Sequence, residues 1–348
     1  MKDKRLVVFG YSGSIHVKKW VRSLAERGYN IRVISLGGDE ISGIDIVRFK
    51  RQGKLSYFRH SAKAVRAAME FKPDIIHVHY AGGYGIWGVR TKFHPLALSV
   101  WGSDVETLPK SFFYRRFIKS VLHNADIITA TSASLKKSTI NVLESTVSKT
   151  KVIPFGVMIP EKLSEFPEAE QISALYLKHL KSIYAPDILI QATAIVIKKY
   201  PSFKLTMCGD GSLKDELHNL VKQLEVETNI VFEGAVDHSK VYSLIQQHHF
   251  MVMPSLQEGF GVAAVEAFAC SRAVVATNVG GIPEIVTDKQ NGLLVEPNNI
   301  EALADAMIAM ISDKERMRQM GQNGYEVAKQ KYDWEKSVDM MCEVYESL

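Results

Sequence analysis

Short apolar segments that alternate with helix-like segments are the feature of this sequence that most restricts its fold. In the first half, each apolar run ends in a turn and is followed by a stretch with helical spacing, such as 14–27 before Gly28. The apolar runs lie at 5–10, 31–36, 74–80, 96–101, 125–131 and 151–156. Strands that alternate with crossover helices form parallel sheets covered on both faces. The first half therefore predicts an α/β domain.

The alternation stops at 158–171, a segment rich in Pro and Glu that is typical of a linker. It then restarts, with apolar runs at 173–177, 203–209, 229–234, 250–254, 273–277 and 291–296. The chain from 300 to 348 is predicted to be helical. Two doubly wound domains place ligands at the carboxyl ends of their strands, in the cleft between the domains.

Cysteine content and hydropathy indicate the cellular compartment of the protein. The 348 residues contain three Cys, an odd number that excludes a disulfide framework and fits a reducing compartment. The longest nearly apolar stretch is interrupted by Glu266, Arg272 and Asn278, which argues against a transmembrane helix. The first residues are interpreted as a strand rather than a secretory signal. We therefore expect a cytoplasmic protein.

Charge is distributed unevenly along the chain. The overall net charge of +5 combines a net +15 in residues 1–160 with a net −10 in the remainder. A strongly basic first half indicates an anionic partner, such as phosphates, nucleic acid or lipid headgroups. No RNA- or DNA-binding motif is present, so nucleic acid is the weaker explanation.

The segment that follows the apolar run 250–254 carries the most specific chemistry. A glycine-flanked loop leads into a helix near Gly261, and exposed N–H groups at a helix start favour an anion such as a diphosphate. Glu258 lies in this loop, and Glu266 lies about two turns further on. Glu266 is surrounded by apolar residues, and a charge in such a helix needs a specific partner. Two carboxylates here are suited to accept hydrogen bonds from sugar hydroxyls.

This segment, Glu258-Gly-Phe-Gly…Glu266, resembles the E-x7-E motif of the retaining family 4 glycosyltransferases, which have the GT-B fold. Shorter motifs in the same order extend the resemblance over nearly the whole chain: Gly10-Tyr-Ser-Gly13, His77-Val-His79-Tyr80, Trp101-Gly-Ser-Asp104, Ile153-Pro-Phe-Gly156-Val, Gly209-Asp-Gly211 and Gly280-Gly-Ile-Pro-Glu284. The resemblance implies an α/β protein with two Rossmann-like parallel-sheet domains and an interdomain cleft. The acceptor-side domain would span 1–160, the nucleotide-sugar domain 161–331, and a C-terminal helix, 332–348, would return to the first domain.

The resemblance also implies roles for individual residues. Glu266 would hold the ribose hydroxyls of the nucleotide, and Glu258 would hold the donor sugar together with the backbone of the following residues. The residues expected to bind the donor are Gly13, Lys178, His179, Lys181, Tyr184, Gly209, Gly211, Gly259, Phe260, Gly261, Val262 and Glu266. The residues expected to act in catalysis are Glu258, His79 and Asp104. No cofactor or metal is expected, because helix N-termini and basic side chains would neutralise a leaving UDP or GDP.

The donor-phosphate segment departs from the family pattern. His179 stands where the family usually has Arg, and Tyr184 stands where it usually has Lys. Lys178 and Lys181 lie beside these positions and would supply the positive charge, since a phosphate needs only a nearby cation. A weakened or inactive donor site is the alternative.

A second departure is Trp101, at a position where the family often has His near the reacting carbon. His79 is expected to occupy the same cleft. His77 and His79 form an H-x-H pair, but no third metal ligand is evident nearby, so we expect no metal site.

The segment 112–119 combines cations with aromatic residues. On a helix, Phe113, Phe117 and Ile118 fall near one face, and three cations flank them: Arg115, Arg116 and Lys119. This pattern suits a helix that lies on an anionic membrane surface, and a core-packed helix with solvated cations is the alternative.

Taken together, these features predict a retaining hexosyltransferase that moves a sugar from a nucleotide diphosphate sugar to an acceptor hydroxyl. The acceptor would be a glycan or a lipid-linked molecule in bacterial cell-surface polysaccharide or glycolipid biosynthesis, at the inner face of the membrane. Two alternatives stay open: a nucleotide-sugar or glycan-binding protein without turnover, and a sugar-nucleotide epimerase.

Overall fold

The computed structural model describes residues 4–53, 55–107, 111–168 and 171–348. The chain forms two compact units: unit 1 comprises Met1–Pro154 and Ser337–Leu348, and unit 2 comprises Phe155–Lys336. The first division falls just after the chain leaves the last strand of unit 1, slightly before the predicted boundary at 160. Residues 158–168 contain no helix or strand.

Unit 1 is built on a parallel sheet. Its strands in the described ranges are β1 Arg5–Phe9, β2 Asn30–Leu36, β3 Asp45–Phe49, β4 Ile75–His79, β5 Leu96–Val100, β6 Ile127–Ala130 and β7 Thr150–Val152. They are ordered β3-β2-β1-β4-β5-β6-β7. Every residue of β4 and β5 is buried, as expected for apolar strands in a sheet covered on both faces.

Helices connect these strands. Within the described residues they are α1 Ile15–Glu26, α2 Ser56–Glu70, α3 Gly83–Thr91, α4 Ser103–Glu106, α5 Phe112–Asn124 and α6 Ala133–Val142. Helix α1 buries Trp20, Val21 and Leu24, which lie on one face of the helix.

The edge strand β3 was missed in the sequence. Its residues pair with β2, from Arg32 opposite Asp45 to Leu36 opposite Phe49. Two of the five residues of β3, Asp45 and Arg48, are charged and the strand is only partly buried, so it lacks the continuous apolar run that marks a central strand.

Unit 2 repeats the architecture. In the part of the chain that the structure describes, its strands are β8 Ser173–Leu177, β9 Lys204–Cys208, β10 Ile230–Gly234, β11 Phe250–Met253, β12 Ala273–Thr277 and β13 Gly292–Val295. The parallel order is β10-β9-β8-β11-β12-β13. The strand order reverses between β8 and β11, which is where doubly wound sheets bind ligands at their carboxyl ends.

The helices of the second half follow the same alternation. They are α7 Pro186–Lys199, α8 Lys214–Gln223, α9 Val241–Gln246, α10 Val262–Ala269, α11 Ile282–Ile285, α12 Ile300–Ser312, α13 Lys314–Lys331 and α14 Trp334–Glu346. The predicted fold class, two Rossmann-like parallel-sheet domains, is confirmed. No helix in the described residues has the length and apolar content needed to span a bilayer.

The C-terminal part of α14 belongs to unit 1, and a buried hydrogen-bond chain fixes it there. The hydroxyl of Tyr345 lies 2.5 Å from Nδ1 of His77 on β4. The other imidazole nitrogen of His77 lies 2.8 Å from Oγ of Ser99, which in turn contacts Thr129 at 2.7 Å. Tyr345 is fully buried, so these contacts are made away from water.

Candidate functional site

Two loops of unit 2 bring opposite charges together at the carboxyl ends of neighbouring strands. Lys178 directly follows β8, and Glu258 lies in the loop after β11; β8 and β11 pair in parallel, so their ends meet at one edge of the sheet. Nζ of Lys178 lies 2.5 Å from Oε2 of Glu258, and the two side chains are only 16% and 13% exposed. The ammonium also lies 5.1 Å from the ring centroid of Tyr184.

Two glycines let neighbouring loops pack closely against the loops that carry Lys178 and Glu258. A Cβ at Gly209 would lie 2.0 Å from the carbonyl oxygen of Lys178, and a Cβ at Gly280 would lie 1.8 Å from that of Glu258. Both glycines have positive φ, +147° and +53°, which side chains rarely adopt. The glycine motifs of unit 2 therefore hold the loops that carry the charged pair. Gly211 lies against the same segment, at the carbonyl of Leu180.

The other predicted phosphate contacts are arranged differently. His179 is exposed and its Nδ1 lies 3.3 Å from the carbonyl of Asp210. Lys181 is exposed, whereas Lys178 is the lysine that reaches Glu258 and Tyr184. Two lysines were predicted to replace the family's basic residues, Lys178 and Lys181. Of these two, Lys178 forms the ion pair with Glu258.

Helix α10 begins at the end of the Glu258 loop. Gly261, with φ +109°, is its N-cap, and Val262 is its first residue. Gly259 and Phe260 lead into this turn, and Phe260 is buried with its ring edge-on to Phe155 at 6.3 Å. The Phe260 side chain thus packs in the core, and its backbone lies at the start of the helix.

Glu266 lies on α10 among buried residues. It is 6% exposed, and the residues on either side of it are fully buried. Its Oε1 lies 3.0 Å from Nε2 of His238, which comes from the loop after β10. A buried carboxylate needs a hydrogen-bond donor, and His238 provides one. Sequence reasoning missed His238, because a single His in a polar loop carries no pattern that points to Glu266.

In unit 1, His79 lies at the end of β4 and is 2% exposed. Its ring centroid is 4.2 Å from that of His77 and 5.2 Å from that of Trp101. Within the described ranges neither nitrogen of His79 has a hydrogen-bond partner. Burial lowers the pKa of His79 to about 3, with the charge of His16 adding to the effect. The imidazole is therefore neutral near pH 7.

Asp104 is fully buried, and backbone amides use both of its oxygens. Oδ2 accepts from the N–H of Ala81 at 2.9 Å, and Oδ1 accepts from Trp101 at 3.1 Å and Gly102 at 3.0 Å. Burial raises the pKa of Asp104 to about 6, and these amide hydrogen bonds oppose the rise. The carboxylate joins the loop after β4 to the loop after β5.

Gly13 lies in the loop after β1, and a Cβ there would lie 2.7 Å from the ring of Tyr11. Tyr11 is 47% exposed, so its ring covers Gly13 at the surface of unit 1.

Helix α5 exposes its first aromatic residues. Phe113 is 82% exposed, while Phe117 packs partly against the core and Ile118 is fully buried. The three residues therefore do not form one exposed apolar face. Phe113 faces solvent, whereas Phe117 and Ile118 turn toward the core. Three basic residues of the helix are exposed: Arg115, Arg116 and Lys119.

Metal-ligating side chains do not cluster in the described part of the chain: no three His, Cys, Asp or Glu residues there are placed to hold one ion.

Two Rossmann-like parallel-sheet units are the architecture of the GT-B fold, and sequence comparison identifies the family. Residues 5–132 match the family model described as glycosyl transferase 4-like, and residues 159–327 match the model described as glycosyl transferases group 1. The chain therefore belongs to the glycosyltransferases. An uncharacterised glycosyltransferase of Methanocaldococcus jannaschii is 31% identical to it, over 98% of this chain and 97% of the relative.

Two further comparisons give more distant similarities. N-acetyl-alpha-D-glucosaminyl L-malate synthase of Bacillus anthracis is 26% identical, over 82% of this chain and 77% of that protein. The crystal structure of Anabaena HepE in complex with UDP-glucose has a TM-score of 0.87 at 21% identity, covering 99% of this chain and 100% of that one. The latter similarity establishes the GT-B fold.

Proposed function

We propose that this protein is a retaining family 4 glycosyltransferase that moves a sugar from a nucleotide diphosphate sugar to an acceptor hydroxyl. The observation that carries the proposal is the pair formed by Lys178 and Glu258 beside the start of α10 in unit 2. A cation, a carboxylate and a helix N-terminus in one place supply the partners that a diphosphate and a sugar require. Glu266, further along the same helix, completes the E-x7-E motif.

Each group then has a distinct role. Lys178 and the N–H groups at the start of α10 bind the diphosphate, Glu258 accepts hydrogen bonds from the donor sugar, and Glu266 accepts them from the ribose. Binding requires the pair to exchange partners, because the Lys178 ammonium turns to phosphate while the Glu258 carboxylate turns to sugar hydroxyls. Charge-assisted hydrogen bonds of this kind discriminate strongly in a desolvated site.

The reaction that we propose keeps the anomeric configuration through a front-face mechanism. The bond from the anomeric carbon to the diphosphate oxygen breaks, and a bond from the same carbon to the acceptor oxygen forms on the same face. The departing phosphate oxygen takes the acceptor's proton. Lys178 and the amides of α10 stabilise the negative charge that develops on the leaving group, so no divalent metal is required.

Unit 1 would present the acceptor. We propose that neutral His79 hydrogen-bonds a sugar hydroxyl near the reacting carbon. Asp104 acts as a positioning residue, because its carboxylate fixes the Trp101–Gly102 turn and the backbone after β4.

Two relatives support the choice of donor. The Anabaena protein is described with UDP-glucose, and the Bacillus protein is named for an N-acetylglucosaminyl product. A UDP-type donor is therefore our first candidate, with GDP as the second. We further propose a cytoplasmic enzyme whose helix α5 contacts the inner face of the cell membrane, with a glycan or lipid-linked acceptor in cell-surface polysaccharide or glycolipid assembly.

The experiment that tests the proposal is a screen of nucleotide sugars by thermal shift, followed by hydrolysis of the donor that stabilises the protein. A retaining transferase releases nucleotide and free sugar slowly without acceptor, and NMR of the nascent sugar shows the anomer of the donor. An epimerase would instead yield an altered sugar nucleotide, and a binding protein would yield neither. Release of the inverted anomer, or no stabilisation by any donor, would contradict the proposal.

A further inference from the structure

His238 contacts the buried carboxylate of Glu266 from a different element of unit 2. Its Nε2 lies 3.0 Å from Oε1 of Glu266, and the two side chains are 42% and 8% exposed. His238 is the first residue of a 3-10 helix, and the carboxylate of Asp237, the residue before it, accepts the N–H of Ser239. The backbone that carries the imidazole is thus held by its own cap.

The same backbone is held against α10. Helix α9 follows His238 directly and buries Val241 and Ile245. The thiol of Cys270, at the end of α10, lies 3.8 Å from the carbonyl of Tyr242 on α9. The backbone that carries His238 is therefore held close to α10 by packing between two helices.

The contact uses only half of the carboxylate. In the residues that the structure describes, Oε1 of Glu266 is hydrogen-bonded and Oε2 is not. An anchored carboxylate has lost most of its rotational freedom, so a ligand that binds the second oxygen orders less of the protein.

We propose that His238 is a positioning residue for nucleotide recognition. Its Nε2–H donates to Oε1 of Glu266 and presents Oε2 to a ribose hydroxyl of a ribonucleoside diphosphate. This inference rests on the proposed function, because it takes Glu266 as the ribose contact. It predicts that His238, which need not touch the ligand, sets the preference for ribose over deoxyribose.

The test compares ribonucleotides with their deoxy analogues. Calorimetry with the full chain measures the Kd of UDP, GDP and ADP and of their 2′-deoxy and 3′-deoxy forms. We expect His238→Ala to weaken ribonucleotide binding about 2- to 10-fold, because the ligand must then order the Glu266 side chain itself. The affinity of the deoxy analogue that lacks the contacted hydroxyl should change far less, so the ribose preference shrinks. His238→Gln, whose amide N–H can donate to the same oxygen, should restore most of the preference.

A matched control is available in the same unit. His218→Ala removes an exposed imidazole that packs on Phe232 at a centroid distance of 4.2 Å, and it should leave every Kd unchanged. Equal weakening of ribo and deoxy ligands by His238→Ala would overturn the inference, because a merely structural residue acts on both. An unchanged ribose preference in that variant would overturn it as well.

Failure of the inference can be separated from failure of the proposed function. If Glu266→Gln abolishes the ribose preference while His238→Ala preserves it, the role of His238 is wrong and the function stands. If Glu266→Gln leaves ribonucleotide binding unchanged, or the wild-type chain binds none of the nucleotides, the proposed function fails and the inference fails with it.

Discussion

Lys178 and Glu258 form a largely buried salt bridge between two loops that follow neighbouring strands of unit 2. Their charged atoms are 2.5 Å apart, and neither side chain is more than 16% exposed. Residues 80 positions apart in sequence are thus coupled in one site. Because each charge satisfies the other, removing either one leaves its partner poorly solvated.

This coupling predicts non-additive effects of substitution. Lys178→Met and Glu258→Gln should each lower the free energy of unfolding by about 1–3 kcal/mol, less than for a fully buried pair because water still reaches both groups. The double variant should lose less than the sum of the two losses. Urea denaturation followed by circular dichroism measures all three.

The control for this cycle is Lys181→Met, which removes an exposed cation from the same loop and should cost almost nothing. Strict additivity in the double variant would mean that the two side chains do not interact in solution.

The fold could be predicted from the sequence because its central strands are short continuous apolar runs. Each run found at 5–10, 74–80 and 96–101 contains a strand of the unit 1 sheet, since strands buried on both faces need no polar residues. The edge strand β3 was not found, because a half-exposed strand mixes charged and apolar residues.

The site was only partly predictable. The spacing of Glu258 and Glu266 directed attention to α10 and the loop before it, since an isolated charge in an apolar helix is conspicuous. The partners of these carboxylates, Lys178 and His238, depend on how distant loops pack, and no local pattern encodes that packing. Whether the two glutamates bind a donor stays a prediction.

The glycine at position 280 tests the loop packing directly. A methyl group at Gly280 would overlap the carbonyl of Glu258, at 1.8 Å, so Gly280→Ala must displace the loop that carries this carboxylate. We expect a loss of donor affinity of about tenfold or more, together with a loss of stability above the cost of positive φ, about 1–2 kcal/mol. Isothermal calorimetry and thermal unfolding measure the two effects.

Gly234→Ala is the control that separates the cost of a positive φ from the cost of steric overlap with a neighbouring loop. Gly234 also has positive φ, +71°, but a Cβ there would meet nothing within 4 Å. This variant should lose the stability that a side chain at positive φ costs, and its donor affinity should be unchanged. Equal donor binding by both variants would show that the loop adapts to the methyl group.

Acid should destabilise unit 1. Burial keeps the pKa of His77 far below its usual value and lowers that of His79 to about 3, whereas it raises the pKa of Asp104 to about 6. Below about pH 6.5 the unfolded histidines bind protons that the folded ones exclude, so stability falls as pH falls. Asp104 acts oppositely between about pH 4 and 6, because there the folded carboxyl binds the proton. Two histidines outweigh one aspartate, so we expect a net loss.

Tryptophan fluorescence can follow this loss, since Trp20, Trp87 and Trp101 lie in unit 1. His79→Leu should reduce the loss between pH 6.5 and 4 by about 1.4 kcal/mol per pH unit, the slope for one proton. Asp104→Asn should make the loss steeper, and replacement of the exposed His123 by Leu should not alter it. A pH-independent denaturation midpoint would contradict the assignment of neutral buried imidazoles.

Helix α5 should bind anionic membranes. Phe112 and Phe113 are 75% and 82% exposed at its start, and Arg115, Arg116 and Lys119 are exposed beside them. Aromatic rings insert at the headgroup level, and each basic residue adds about 1 kcal/mol near an anionic surface. Sedimentation should show binding to vesicles that contain phosphatidylglycerol, weakened by high salt.

The control for the membrane helix is an exposed phenylalanine elsewhere. The double substitution Phe112→Ser/Phe113→Ser should reduce vesicle binding about tenfold or more, and Phe58→Ser on α2 should not, although Phe58 is 58% exposed. Undiminished binding of the double variant would exclude this helix as the anchor, and equal binding to neutral vesicles would contradict the preference for an anionic surface.

The hydroxyl of Tyr345 should hold the C-terminal helix on unit 1. Tyr345→Phe keeps the ring and its edge-on contact with Tyr29 at 5.5 Å, but it leaves Nδ1 of buried His77 without its partner. An unsatisfied buried polar atom costs about 1–3 kcal/mol, so unit 1 should unfold at lower urea concentration. Amide exchange should also accelerate within 337–346, because the last turns of α14 open more often. Tyr114→Phe removes a half-exposed hydroxyl and should change neither quantity. If exchange accelerates equally throughout the protein, the hydrogen bond contributes to global stability and does not specifically fasten the helix.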